Sequence, residues 1–185
     1  MPVMICMLRG VNVGPHNRMK MDALRQLCES LELRDAQTYI QSGNVIFRTS
    51  ERSIPRLSKR VQEGIERRFG FRPDVVFRTT GELRGIVERN PFSTRRGIDP
   101  SKLLVVFLAD EPTAAAVAAV SKIECEPDEI QVLGREVYIY YRGGMARPKV
   151  VWTTIMKKLE TTGTGRNWNS VVEMLALAEK FEASR

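Results

Sequence analysis

The apolar positions of this chain fall into two alternating kinds of run. Val3–Leu8 is continuously apolar, short and followed by Arg9-Gly10, the pattern of a strand buried on both faces. Met21, Leu24, Leu27, Cys28 and Leu31 then recur at helical spacing, with Asp22 in the first turn, where the helix dipole favours an acid. Residues 38–40 and 45–47 read as two short strands around a turn at 41–44. Ser53 suits an N-cap for a helix that carries Ile54, Leu57, Val61, Ile65 and Phe69 on one side. Pro73 precedes a further short strand at 75–78.

That order is β-α-β-β-α-β, the ferredoxin-like split βαβ pattern. A short helix at 82–88 is stopped by Asn90-Pro91, because proline cannot continue it. Residues 93–101, with Gly97 and Pro100, read as a linker. The pattern then repeats in part. Leu103–Leu108 predicts a buried strand, Pro112 a helix start leading into 113–120, and Gly134-Arg135 a hairpin between Glu129–Leu133 and 136–141. A helix is expected over 150–159. No last strand is evident, and the chain closes on a second helix that aligns Val171, Leu175, Ala178 and Phe181. The expected fold is α+β: two ferredoxin-like βαββα-type units, mainly antiparallel sheets with helices packed on one face, plus C-terminal helices. The units are expected at 1–92 and 102–185 around the 93–101 linker, acting as one compact family domain or as two.

Composition narrows the class without naming a reaction. The 185 residues suffice to bury roughly 70% of the unfolded surface. Apolar content of 43% and charged content of 28% fit an ordinary soluble protein. The longest apolar runs, about seven residues, fall far short of a bilayer span, so no membrane partner is expected. Residues 1–8 lack a basic leader and a small-residue cleavage site, and no signal peptide is expected. Cys6, Cys28 and Cys125 are widely spaced without a CxxC, which suits reduced thiols of a cytoplasmic protein. The single His16 excludes a multi-histidine metal site and a Ser or Cys triad. Glu124, Glu126, Asp128 and Glu129 would suit either a hard cation or an exposed loop. No metal and no cofactor is expected.

The net charge of +7 supports nucleic acid, phosphorylated ligands or anionic surfaces as partners, or else scattered arginines on solvated faces. Candidate chemistry concentrates in polar segments rich in glycine and asparagine. The first two are Arg9-Gly10-Val11-Asn12-Val13-Gly14 and Gln41-Ser42-Gly43-Asn44. In a ferredoxin-like sheet the third strand lies antiparallel to the first, which brings both segments to one rim beside the helix starting near Lys20. Open amides there, with Arg9, Arg18 and Lys20, favour an anion, and Asn12 and Asn44 offer amides to orient it. The alternative is that the glycines only permit turns and the asparagines only cap them.

The third segment is Gly163-Thr164-Gly165-Arg166-Asn167-Trp168-Asn169. Its glycine amides and Arg166 resemble a phosphate cradle, Trp168 is a stacking face or a core anchor, and Ser170 to Glu173 matches a capping box. A basic patch at 142–149 adds Arg147 and Lys149 as phosphate contacts or solvated charges. Neither a Walker A loop nor a G-x-G-x-x-G fingerprint is present. The strands also lack the aromatic pattern of an RNA-recognition sheet, and Tyr138 and Tyr140 read as core.

At these residues the chain resembles the bacterial family of proteins of unknown function DUF1697. The likeness is carried by Leu8-Arg9-Gly10-Val11-Asn12-Val13-Gly14, Lys20-Met21 to Leu24, Tyr39-Ile40-Gln41-Ser42-Gly43-Asn44-Val45 and Arg166-Asn167-Trp168-Asn169-Ser170, with a shorter match at 144–149. Pro15 replaces an expected second glycine and Pro148 an expected serine. The resemblance implies a cytosolic α+β protein of two related units and no established activity. It alone joins the third segment to the other two. Three functions follow as expectations: a module binding a small phosphorylated or nucleotide-like anion, a nucleic-acid-associated protein, or an enzyme on a phosphorylated substrate without histidine chemistry. The ligand contacts would come from Arg9, Asn12, Gly14, Lys20, Gln41, Ser42, Gly43, Asn44, Arg147, Lys149, Arg166, Asn167, Trp168 and Asn169. No catalytic residue is assigned.

Overall fold

The computed structural model describes residues 1–146, 148 and 151–184, and the elements follow the expected alternation. The first unit contains β1 (Val3–Leu8), α1 (Met21–Ser30), β2 (Arg34–Tyr39), β3 (Asn44–Arg48), α2 (Ile54–Phe69) and β4 (Val75–Thr79), followed by α3 (Thr80–Glu88). A 3-10 turn, Pro100–Lys102, leads into β5 (Leu103–Leu108), α4 (Ala114–Val120), β6 (Glu129–Leu133), β7 (Glu136–Tyr140), α5 (Trp152–Leu159), β8 (Gly163–Asn167) and α6 (Trp168–Ala183). The chain forms two compact units, Met1–Arg84 with Met174–Arg185, and Gly85–Glu173.

Each unit is a complete four-stranded antiparallel sheet. The orders β2-β3-β1-β4 and β6-β7-β5-β8 are the same when strands are counted within their own unit. This confirms the α+β, doubly ferredoxin-like reading and corrects one element. The Gly163–Asn167 segment is not a loop before a helix but the fourth strand, pairing Leu108 with Gly163 and Leu104 with Asn167. Its composition hid it, since Gly-Thr-Gly-Arg-Asn offers no apolar residue. Gly163 is required by close approach: a Cβ there would lie 2.7 Å from the Phe107 carbonyl oxygen.

The central strands are buried on both faces. In the first unit Met4, Cys6, Leu8, Val45, Phe47 and Phe77 join Leu24, Leu27, Leu57, Val61 and Ile65 of α1 and α2 in one core. Val3, Ile5, Met7 and Ile46 are buried as well. On β3 the Arg48 guanidinium sits 4.9 Å from the Phe181 ring and donates to the Phe181 carbonyl, so residues of α6 contribute to this unit. In the second unit Val106, Leu108, Val137 and Ile139 pack with Val120, Ile155 and Leu159 of α4 and α5. Tyr138 and Tyr140 are buried too: the Tyr138 hydroxyl donates to the Ile86 carbonyl, and Phe92 lies 5.7 Å from the Tyr140 ring. Both tyrosines are thus core residues, closed to base stacking.

Helix boundaries follow local chemistry. Ser53 caps α2 through Arg56 N–H, and Gly70 closes it in the left-handed conformation. Thr113 caps α4 by accepting from Ala116 N–H. For α6 the expected cap at Ser170 is displaced, because the helix starts at Trp168 and Asn167 Oδ1 accepts from Asn169 N–H at 2.9 Å. Among the described residues no helix is long and apolar enough to cross a membrane.

Candidate functional site

The segment between β1 and α1 is a closed loop held by two asparagines. Asn12 and Asn17 take positive φ values, 57° and 54°, which asparagine tolerates better than other side chains. Asn12 N–H donates to the Asn17 carbonyl, and Asn17 Nδ2 donates back to the Gly10 carbonyl. Val11 and Met19, both buried, anchor the two arms of the loop in the core.

The Asn12 side chain then ties the loop to the next turn. Its Nδ2 donates to the Met19 carbonyl at 2.9 Å and to the Gln41 carbonyl at 2.8 Å, while Oδ1 accepts from Met19 N–H at 2.8 Å. The first two segments therefore meet, as topology predicts from Met7 facing Asn44. Three of the four bonding positions of the Asn12 amide, both N–H donors among them, are used within the protein. Asn44 is likewise turned inward. It is fully buried, with Nδ2 donating to the Tyr39 carbonyl and to Ser42 Oγ. The two asparagines build the rim, and their amides are engaged by the chain itself.

The backbone of the second segment is equally constrained. Gly43 has φ 73°, and a Cβ there would approach Leu8 Cβ at 3.0 Å. Gly43 O accepts from Leu8 N–H, which fixes the turn to the end of β1. Ser42 is half-buried, and Gln41 is exposed at the rim.

Beside this rim opens a cleft of about 690 Å³ lined by Asn12, Arg18, Met19, Lys20, Met21, Asp22 and Gln41. The N-terminus of α1 opens into it. Lys20 occupies the N-cap position, and no side chain caps the helix there. The first intrahelical bond runs from Leu24 N–H to Lys20 O, so the amides of Met21, Asp22 and Ala23 precede it. Arg18 and Lys20 are exposed and make no ion pair among the described residues. Asp22 is exposed at the same rim and pairs with Arg25 at 3.0 Å. Arg9 points elsewhere, pairing with Asp74 at 3.1 Å, and does not line the cleft. Gly14 is exposed at the loop tip with φ 67°.

Arg18, expected as a cation at this rim, lines the cleft, and Met19, Met21 and Asp22 complete it outside the expected contact set. The signal of these last three in the sequence is weak: only their position just before and within the first turn of a helix distinguishes them.

The third segment belongs to the second unit. Arg166 is buried and donates to Thr164 Oγ1 at 2.7 Å and to the Gly165 carbonyl at 2.9 Å. Asn167 Nδ2 donates to the Ser101 carbonyl. Trp168 is half-buried at the start of α6, and Asn169 is exposed. Arg147 and Lys149 lie outside the described residues.

The acidic stretch before β6 is organised by arginine. Glu129 holds Arg95 through two bonds, of 2.6 and 3.1 Å, and Arg142 at 3.2 Å. The hydrogen bond from Arg95, followed by that from Arg142, keeps the Glu129 carboxyl below its ordinary range. Asp128 is buried and accepts from Arg142 N–H. Among the described residues no group of three His, Cys, Asp or Glu is placed to hold a metal ion.

Against known proteins, a family model described as "Protein of unknown function (DUF1697)" matches residues 1–138, a span that contains the first two segments and ends before the third. Among solved structures, a conserved bacterial protein from Streptococcus pneumoniae superposes with a TM-score of 0.76 at 18% identity, covering 97% of this chain and 99% of that one. At that identity the likeness shows the fold alone. The search of curated proteins gives no match.

Proposed function

The chain belongs to the DUF1697 family of proteins of unknown function, and from that premise we propose that it binds a small anionic ligand, phosphorylated or nucleotide-like, in the cleft at the start of α1. The observation that carries this reading is a helix N-terminus without a side-chain cap, flanked by two cations that have no acid partner among the described residues. Free amides and the positive end of the dipole attract an oxyanion. Lys20 and Arg18 add charge-assisted bonds worth about 1.5–3 kcal/mol each. Asp22 opposes an anion, but its carboxylate is turned to Arg25.

The shape of the cleft favours the same class. Its volume of about 690 Å³ lies within the range of small-molecule sites, and Met19 and Met21 give it an apolar wall. A nucleotide would place phosphate on the helix amides and its ring against the methionines. Gln41, exposed beside the Asn12 clasp, would orient a polar edge. The buried thiols of Cys6 and Cys28 support a reducing, cytosolic setting.

A thermal-shift screen of anionic metabolites tests the reading. A ligand at 100-fold its dissociation constant adds about 2.7 kcal/mol of stability. Lys20→Ala and Arg18→Ala should each abolish most of that shift and leave the melting temperature of the unliganded protein unchanged. A screen in which no anion raises the melting temperature, or a shift that survives both substitutions, sinks the proposal.

A further inference from the structure

The second unit holds a separate concentration of positive charge, distinct from the α1 cleft. A cleft of about 250 Å³ is lined by Arg95, Arg96, Gly97, Ile98, Tyr140 and Arg142. Two of its guanidiniums are fixed before any ligand arrives. Arg95 is gripped by both oxygens of Glu129 and lies 5.5 Å from the Phe92 ring. Phe92 in turn packs on Tyr140. Arg142 is held by Glu129 through its side chain, by Asp128 through its N–H, and by Lys102 Nζ at its carbonyl.

One carboxylate therefore serves two guanidiniums, and the charged residues that line the cleft are all arginines. Arg96 adds a third cation and makes no hydrogen bond or ion pair among the described residues. Packing does not account for it, since it is exposed. Exposed ion pairs contribute little stability, so the Glu129 network is better understood as positioning Arg95 and Arg142 than as holding the fold.

Tyr140 supplies an independent observation. It is 6% exposed and is one of the residues that line this cleft. Its hydroxyl oxygen accepts from Asp99 N–H at 3.3 Å, and among the described residues no group accepts the hydroxyl proton. A buried hydroxyl thus belongs to the lining of a cleft whose charged lining residues are all cations.

We infer that this cleft is a phosphate-monoester site in which Arg96 and the Tyr140 hydroxyl contact the oxyanion, while Arg95 and Arg142, held by Glu129, supply the positive field. The volume admits a phosphate and a few further heavy atoms, and is below the usual size of a site for a whole nucleotide. Guanidinium forks match phosphate oxygens in geometry, which explains three arginines where lysines would serve a diffuse charge. The site lies wholly in the second unit and does not depend on the α1 cleft.

The test uses the full chain labelled with 15N and titrated with inorganic phosphate, then with methyl phosphate. The Gly97 amide and Arg96 Nε–H should shift and saturate with a dissociation constant of about 1 mM or tighter. Arg96→Ala should weaken binding at least about tenfold, and Tyr140→Phe, which keeps the ring, about three- to tenfold. Lys20→Ala should leave these shifts unchanged, which separates this site from the one at α1. Methyl phosphate should bind at least as well as phosphate. A Gly97 signal that stays still or drifts without saturating overturns the inference, as does an Arg96→Ala protein that titrates like its parent. Exclusion of methyl phosphate overturns the monoester assignment.

Discussion

The two units share a strand order and differ at the connection between their first strand and first helix. In the first unit that connection runs from residue 9 to residue 20, is closed on itself by Asn12 and Asn17, and delivers α1 without a side-chain cap. In the second it runs only from 109 to 113 and ends on Thr113, whose hydroxyl caps α4. One helix has one of its first amides, that of Ala116, satisfied by its own cap, and the other presents its first amides to a cleft flanked by Arg18 and Lys20. A repeated fold thus supplies two equivalent positions, and the longer loop turns one of them into a candidate site. In the second unit the positive charge gathers instead beside β7, around Glu129.

The largest contrast concerns the thiols. Burial, reinforced by Glu29, pushes Cys28 on α1 up to about 12, while Cys125, also raised by burial, is only half-buried. At pH 8 Cys28 should alkylate roughly a thousand times more slowly than an ordinary thiol, at tenfold per pKa unit, with Cys125 reacting first. Mass spectrometry after iodoacetamide treatment reads both rates. Because the folded pKa of Cys28 is raised, its contribution to stability is complete below pH 9.0 and is lost as pH rises towards 12. Equal labelling of both residues in the folded protein would remove the contrast.

The fourth strands differ next. β4 is rich in valine and phenylalanine, whereas β8 relies on glycine where backbone meets backbone. Gly163→Ala should cost about 3 kcal/mol in a denaturant titration, since the new methyl meets the Phe107 carbonyl. Gly165→Ala should cost less than about 1 kcal/mol, because it meets only the flexible Leu104 side chain.

The Asn12 clasp is the next test. Asn12→Ala removes three hydrogen bonds and places alanine at positive φ, for an expected loss of about 2 kcal/mol. Asn12→Gly relieves the backbone strain and should fall between the variant and the parent. If Asn12→Ala unfolds with the parent's midpoint, the loop is not held as described.

The smallest effects test the caps directly. Thr113→Ala should destabilise by about 1 kcal/mol. Lys20→Ser should stabilise by about 0.5–1 kcal/mol by closing the amides of α1, and should weaken anion binding there. A Lys20→Ser protein that gains no stability would show that those amides are already satisfied.

Much of this fold was legible in the sequence because burial writes itself into apolar runs. Val3–Leu8 and Leu103–Leu108, the central strands of both sheets, are continuous hydrophobic stretches and were read to the residue. Ser53 and Gly134 announced a cap and a turn through their own chemistry. The edge strands carried less signal. Arg34–Tyr39 starts earlier than its polar residues suggest, and Gly163–Asn167 is a strand only because β5 lies beside it.

The sequence by itself determined the β-α-β-β-α-β order of the first unit, the first two polar segments at one rim, and the single histidine, His16. Each follows from residue type and spacing along the chain. Only the tertiary structure decided where the polar groups point. An asparagine amide reads the same whether it faces a ligand or the Met19 backbone, and hydrogen bonding to distant chain turned Asn12 and Asn44 inward. It likewise paired Arg9 with Asp74 and Arg95 with Glu129, and left Lys20 and Arg96 beside clefts without an acid partner among the described residues. Charge pairing is a property of proximity in space, and sequence separation does not encode it.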